Sequence, residues 1–205
     1  MKKGFFILLF ICFSNQLCAQ SNWKNFWELS ISHKKWVLLH PFRAKKASEI
    51  SFEANKVSDS IAKTDLLDKD KAGGQVDAFR HAYWMARLRQ EIGKCAAYSL
   101  GKAHEKDNYL TFKKNKMENG IVPDNASKEM DLFNNKVGLL FTKKGVVTNQ
   151  KKLTHEIVAA ILKGDLKIIK KDSIGNYVTC NGELIASEEL LHAWKNNKCL
   201  ISSNK

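Results

Sequence analysis

The sequence predicts a mainly α, multi-helix single domain with a small C-terminal β-hairpin. Apolar residues recur at helical spacing through most of the chain. Only two prolines, Pro41 and Pro123, interrupt the 205 residues. Two β-like runs, residues 166–170 and 177–180, flank turn-forming residues 172–176 near the C-terminus.

Taken in order, residues 1–19 have the layout of a signal peptide. Lys2 and Lys3 give a basic start, and Phe5 to Phe13 form an apolar run too short to span a bilayer. Leu17-Cys18-Ala19 then supplies small residues before an expected cut between Ala19 and Gln20. Ser14, Asn15 and Gln16 follow the run at once and argue against an uncleaved anchor, so the mature form is expected to lack a transmembrane helix. Residues 20–45 form a Trp-rich helical segment (Trp23, Trp27, Trp36) ended by Pro41, which disfavours helix geometry in the residue before it.

Residues 46–205 make up the helical domain proper. Ile50, Ala54, Val57 and Ile61 mark a helix over 47–67, and a polar loop closes at Gly73-Gly74. The strongest helix covers 75–92, with Gly93 in a C-cap role, and a second one follows over about 94–106. A basic, polar excursion over 107–125 leads to a helix over 127–142. Thr148 is expected to cap another that runs to Lys163 and stops at Gly164. After the hairpin a short last helix spans 187–194.

Removal of residues 1–19 takes two Lys and no acid from a net charge of +13, leaving +11 on 186 residues. That balance favours an anionic envelope component, phospholipid or cell-wall polymer, as partner. The lysines are scattered and no nucleic-acid-binding motif is present, so no specific nucleic-acid partner is expected. Export implies a periplasmic or secreted protein in an oxidising compartment, where Cys180 and Cys199, flanking the C-terminal unit, are the expected pair. Cys95, among alanines in a helical pattern, is expected to be a small buried hydrophobe.

Three polar clusters stand inside otherwise apolar helices. In the first, Asp77 and His81 are four apart and share a face, with Arg80 at its edge. In the second, His104 continues an apolar stripe four after Leu100, and Glu105 follows it. In the third, Asp131, Asn135 and Gly138 face one way, with Asn134 at the border. Glycine there lets another helix come close, and paired asparagines inside a helix compete with its backbone rather than support it. Buried ionisable groups are costly unless paired, metal-bound or used in chemistry. Neither His104-Glu105-Lys106-Asp107-Asn108 nor His155-Glu156-Ile157-Val158-Ala159 ends in the second His of a zinc-protease helix. No Ser or Cys stands within the clusters, which disfavours a covalent Ser or Cys mechanism.

Together the clusters resemble an uncharacterised bacterial domain family with the signature D-A-x-R-H-x-x-W, A-H-E and M-D-x-x-N-N-x-x-G. Here these are Asp77-Ala78-Phe79-Arg80-His81-Ala82-Tyr83-Trp84, Ala103-His104-Glu105 and Met130-Asp131-Leu132-Phe133-Asn134-Asn135-Lys136-Val137-Gly138. The resemblance implies a mostly helical module of exported proteins, some of them attached to secreted toxins, and it implies a site rather than a reaction. Small secreted phospholipases follow their catalytic His with Asp, whereas Ala82 follows His81 here and no Gly-rich calcium loop precedes it.

Two functional readings remain open at this level. One is a cell-envelope hydrolase with catalytic residues drawn from Asp77, Arg80, His81, His104, Glu105, Asp131, Asn134 and Asn135. His81, His104 and Asp131 would be the ligands of a divalent metal in a metal-assisted version. The other is a non-catalytic envelope binding or accessory module in which the polar cluster is a structural network.

Overall fold

The computed structural model describes residues 26–117 and 122–205. It is mainly helical, with a two-stranded antiparallel sheet near the C-terminus. The expected signal peptide, residues 1–19, lies outside the described residues, as do residues 118–121.

Helix α1 (Ile31–Leu39) starts where the Ser30 hydroxyl accepts the His33 amide, 3.2 Å away. Its buried Trp36 donates an indole N–H to Ser99 Oγ at 2.9 Å, which fastens it to the helix over residues 94–113. His40 is non-helical, as a residue before proline should be, yet α2 (Pro41–Ile61) begins at Pro41 itself, six residues earlier than periodicity predicts. Proline is well suited to a first helical position because the N–H it lacks would have no partner there.

Helix α3 (Gln75–Ile92) is the axis of the fold, packed by α2, α4 (Lys94–Lys113), α5 (Asn125–Gly138) and α6 (Gln150–Lys163). Thirteen of its 18 residues are buried, among them Phe79, Tyr83, Met85 and Leu88. A helix buried on most of its faces belongs to the core, and this one carries Asp77 and His81 there with it. Helix α4 runs seven residues past its predicted end. Cys95 is exposed rather than buried, because it falls in the first turn of α4 opposite the stripe of Ala96, Ala97 and Leu100 that meets α3.

The fifth helix is capped by Asp124, whose carboxylate accepts the Ser127 amide at 2.8 Å. It ends at Gly138, short of the predicted Thr142, and crosses α3 there. A Cβ on Gly138 would stand 2.4 Å from the carbonyl oxygen of Ala82. Asn149 rather than Thr148 caps α6, its side chain accepting from the amides of Lys151 and Lys152.

The C-terminal sheet differs from the expected hairpin in its second strand. Strand β1 (Lys167–Ile169) pairs antiparallel with β2 (Leu200–Ser202), Lys167 opposite Ser202 and Ile169 opposite Leu200. Residues 177–180 make only isolated bridges, Lys171 to Tyr177 and Val178 to Leu184. The tail takes the place beside β1 because the Cys180–Cys199 disulfide and the Lys170 amide, donating to the Cys199 carbonyl at 2.8 Å, return it there. The short α7 (Ser187–His192) lies between β1 and β2 along the chain. Next to the disulfide, Lys198 forms a buried ion pair with Asp124 at 2.5 Å and lies over the Tyr177 ring. Burial raises the Asp124 carboxyl, but the Lys198 ammonium and its own hydrogen bonds outweigh this and hold it below the ordinary carboxylate value.

This sheet braces the two helices that carry Asp77 and Asp131. The Ile169 amide donates to the Gly73 carbonyl at 2.7 Å, in the loop before α3. On α5, the Asn134 side-chain amide brackets Lys167, donating to its carbonyl and accepting from its N–H, both at 2.9 Å. Because the α3–α5 crossing is backbone against backbone, Gly138→Ala is expected to destabilise the fold by about 3 kcal/mol, the upper range for overpacking. Denaturant unfolding checks this, and an unchanged midpoint would show that the helices part without cost.

Candidate functional site

Asp77, in the first turn of α3, is held by the loop before it. Gly73 adopts φ +92°, open to glycine, and its N–H reaches Asp77 Oδ2 at 2.9 Å. The other carboxylate oxygen accepts from Arg80 Nη2 at 2.5 Å. The same Nη2 lies 2.9 Å from His81 Nε2. A guanidinium only donates, so Nε2 accepts and the imidazole proton belongs on Nδ1, facing Asn135 Oδ1 at 3.3 Å.

That tautomer sets up a conflict. Asp131 Oδ1, from α5, lies 3.2 Å from Nε2, and Asp77 Oδ1 lies 3.7 Å away. Two carboxylate oxygens thus face a lone pair, and a positive charge among them makes the arrangement favourable. One ligand atom from each of Asp77, His81 and Asp131 falls within 4.8 Å of the others, all three residues being buried. Neighbouring donors around a metal with bonds of about 2 Å stand roughly 3 Å apart, close to the two distances seen here. Arg80, partly open to solvent, places its own positive charge in that position.

Both central imidazoles are held neutral. Burial pushes His81 well below its ordinary value, the Arg80 charge adds to this, and the nearness of His104 means that the two rings cannot both be protonated without repulsion. His104, on α4, is pushed down to about 4 by burial first, then by Arg80 and His33. Its ring centroid stands 6.3 Å from that of His81, 5.9 Å from Trp84 and 6.1 Å from His33.

The residues chosen from sequence therefore divide. Asp77, Arg80, His81, Asp131 and Asn135 converge, and His104 borders them without joining the close ligand set, where Asp77 stands instead. Glu105 is buried on α4 with its carboxylate near Asn108 Nδ2 at 3.4 Å. Asn134 is turned to β1 and positions α5. Asn135 Nδ2 is buried with no hydrogen-bond partner among the described residues, beside the close approach of Gly101.

Sequence reasoning missed a second group at the rim. His33 Nδ1 is 2.6 Å from Asp107 Oδ2 and 2.9 Å from Ser30 Oγ, which also contacts Asp107. Serine and carboxylate meet the same ring nitrogen, so His33 does not relay between them as in a serine-nucleophile triad. The available signal was the spacing of Asp107, three residues after His104 on one helix. Nothing local in the sequence announces His33, which arrives from α1.

A neutral buried imidazole has a sign to its pH dependence. The unfolded chain protonates His104 near its ordinary 6.5 while the fold resists until about 4, so between these values the unfolded state binds more protons. Stability in metal-free buffer should therefore fall by about 2 kcal/mol from pH 7 to pH 5 through His104 alone, and His104→Gln should flatten that slope. Denaturant melts across the range check it, and an equal slope in the variant would contradict the assignment.

No curated protein and no solved structure matches the chain. A family model matches residues 34–165, which contain all three polar clusters and every residue of the converging site. The chain belongs to the family described as Domain of unknown function (DUF6973).

Proposed function

We propose that the protein is an exported, metal-assisted hydrolase of the cell envelope, with a divalent cation held by Asp77, His81 and Asp131. The observation that carries this reading is the convergence of two buried carboxylates on the accepting nitrogen of a neutral imidazole. A bound divalent ion would activate water or polarise a substrate oxygen. Asn135 holds the His81 ring through Nδ1, leaving Nε2 for the ion. His104, neutral at physiological pH, is suited to accept a proton at the edge of the site. Arg80, released from Asp77, would bind an anionic group of the substrate. The Cys180–Cys199 disulfide and the basic, apolar start of the chain support export. No helix among the described residues is long and apolar enough to cross a membrane. The positive net charge suits an anionic envelope component as partner.

One observation favours the competing reading of a non-catalytic module. Arg80 already bridges Asp77 and His81, so the cluster can serve as a lock between α3 and α5 with no metal. Arg80→Gln separates the two. Under the metal reading, manganese or zinc binds the wild type by calorimetry, Asp77→Asn and Asp131→Asn weaken binding about 100-fold or more, and Arg80→Gln still binds. Chromogenic phosphate and carboxylate esters supplied with the ion are then hydrolysed, and His81→Ala abolishes this. Under the lock reading no ion binds, and Arg80→Gln costs about 3 kcal/mol by leaving a buried carboxylate uncompensated.

A further inference from the structure

We infer that the corner between α1 and α2 docks the protein on an anionic phospholipid surface. Leu38, Leu39 and Phe42 are 70%, 77% and 101% exposed, three large apolar side chains within five residues. Single exposed apolar residues are ordinary, but a tip of three is not. The tip stands on a fixed base. Trp36 is buried and donates to Ser99, the His40 ring packs on Trp36 with centroids 4.9 Å apart, and the His40 amide returns to the Trp36 and Val37 carbonyls.

The charge around the tip identifies what covers it. Residues 29–48 contain five Lys and Arg and no Asp or Glu. Lys34 and Lys35 lie about one helical turn before Leu38 and Leu39, and Arg43, Lys45 and Lys46 lie within about a turn after Phe42. Lys46 also pairs with Glu49 at 2.8 Å, just past the acid-free stretch. Apolar side chains at an apex with cations ringed behind them match the layering of a membrane interface. There the apex enters the acyl boundary while long basic side chains reach phosphate. A protein partner would need acidic groups disposed around a hydrophobic socket, whereas an anionic bilayer offers both without special shape. This inference stands on surface chemistry alone and needs no activity at the α3–α5 site.

The test reads the corner locally on the full chain, so binding through any other segment does not obscure it. The rate at which an amine-reactive reagent labels each lysine is followed by mass spectrometry, with phosphatidylglycerol–phosphatidylcholine vesicles or with phosphatidylcholine alone. Labelling of Lys34, Lys35, Lys45 and Lys46 should slow about tenfold with the anionic vesicles and little with the neutral ones. Lys152 and Lys163, exposed on α6, should label at the same rate throughout. The variant Leu38→Ser/Leu39→Ser/Phe42→Ser removes only exposed groups, should melt like the wild type, and should lose the protection. Unchanged labelling with anionic vesicles, equal slowing with neutral ones, or protection surviving in the variant would each overturn the inference. So would slowing that appears without lipid as protein concentration rises, which would make a second copy of the chain the occupant.

Discussion

At Ala82 and Gly138 the backbones of α3 and α5 lie so close that no side chain fits between them, and the site's geometry follows from that crossing. His81 precedes Ala82, while Asn135 and Asp131 stand one and two turns before Gly138, so a tight crossing lays the imidazole against the amide and carboxylate of the facing helix. Buried cores transmit small displacements because they are packed like crystals. A wider crossing would part His81 from Asp131 and leave ionisable groups in an apolar interior with nothing to compensate them. The C-terminal sheet completes the constraint. It grips α5 through Asn134 and the loop before α3 through Gly73, so two carboxylate-bearing helices are referred to one short piece of backbone.

Much of this was legible in the sequence because helical spacing is a strong signal and polar residues on an apolar face stand out against it. The separation of Asp77 and His81 implied one face, and the position of Gly138 implied a close approach. What local pattern cannot carry is the partner of each face. The i,i+1 pair Asn134 and Asn135 looks like one feature, yet a 100° step sends one amide to β1 and the other to His81. Asp77 replaced His104 beside His81 and Asp131 for a similar reason: the spacing places His104 on the right face of α4 but says nothing of how far that helix stands from α3. The strand that fills the slot beside β1 comes from 30 residues on, returned by a disulfide and a buried ion pair that no periodicity records. Cys95 illustrates the converse, since alanine neighbours suggest burial but the first turn of a helix has an outer side.

The chemical tension in the site is what gives it functional content. A neutral His81 with its accepting nitrogen toward two carboxylates is an arrangement that calls for positive charge. Arg80 provides it from a partly exposed position on the same helix, and a long side chain with one foot in solvent can leave as readily as it enters. Exchange of a guanidinium for a divalent ion would keep the buried carboxylates compensated throughout. The same step would turn a structural charge into a substrate-binding one. The neutral His104 ring and the His33–Asp107 pair lie on the side of the site reached from α1, the helix that also carries the apolar corner.

A crystal grown with manganese, with anomalous scattering measured at the manganese edge, tests the central claim most directly. The account predicts an anomalous peak bonded to Asp77, His81 Nε2 and Asp131, with the Arg80 guanidinium moved away from Asp77. Arg80 still bridging Asp77 and His81, with no peak among the three residues, would contradict it.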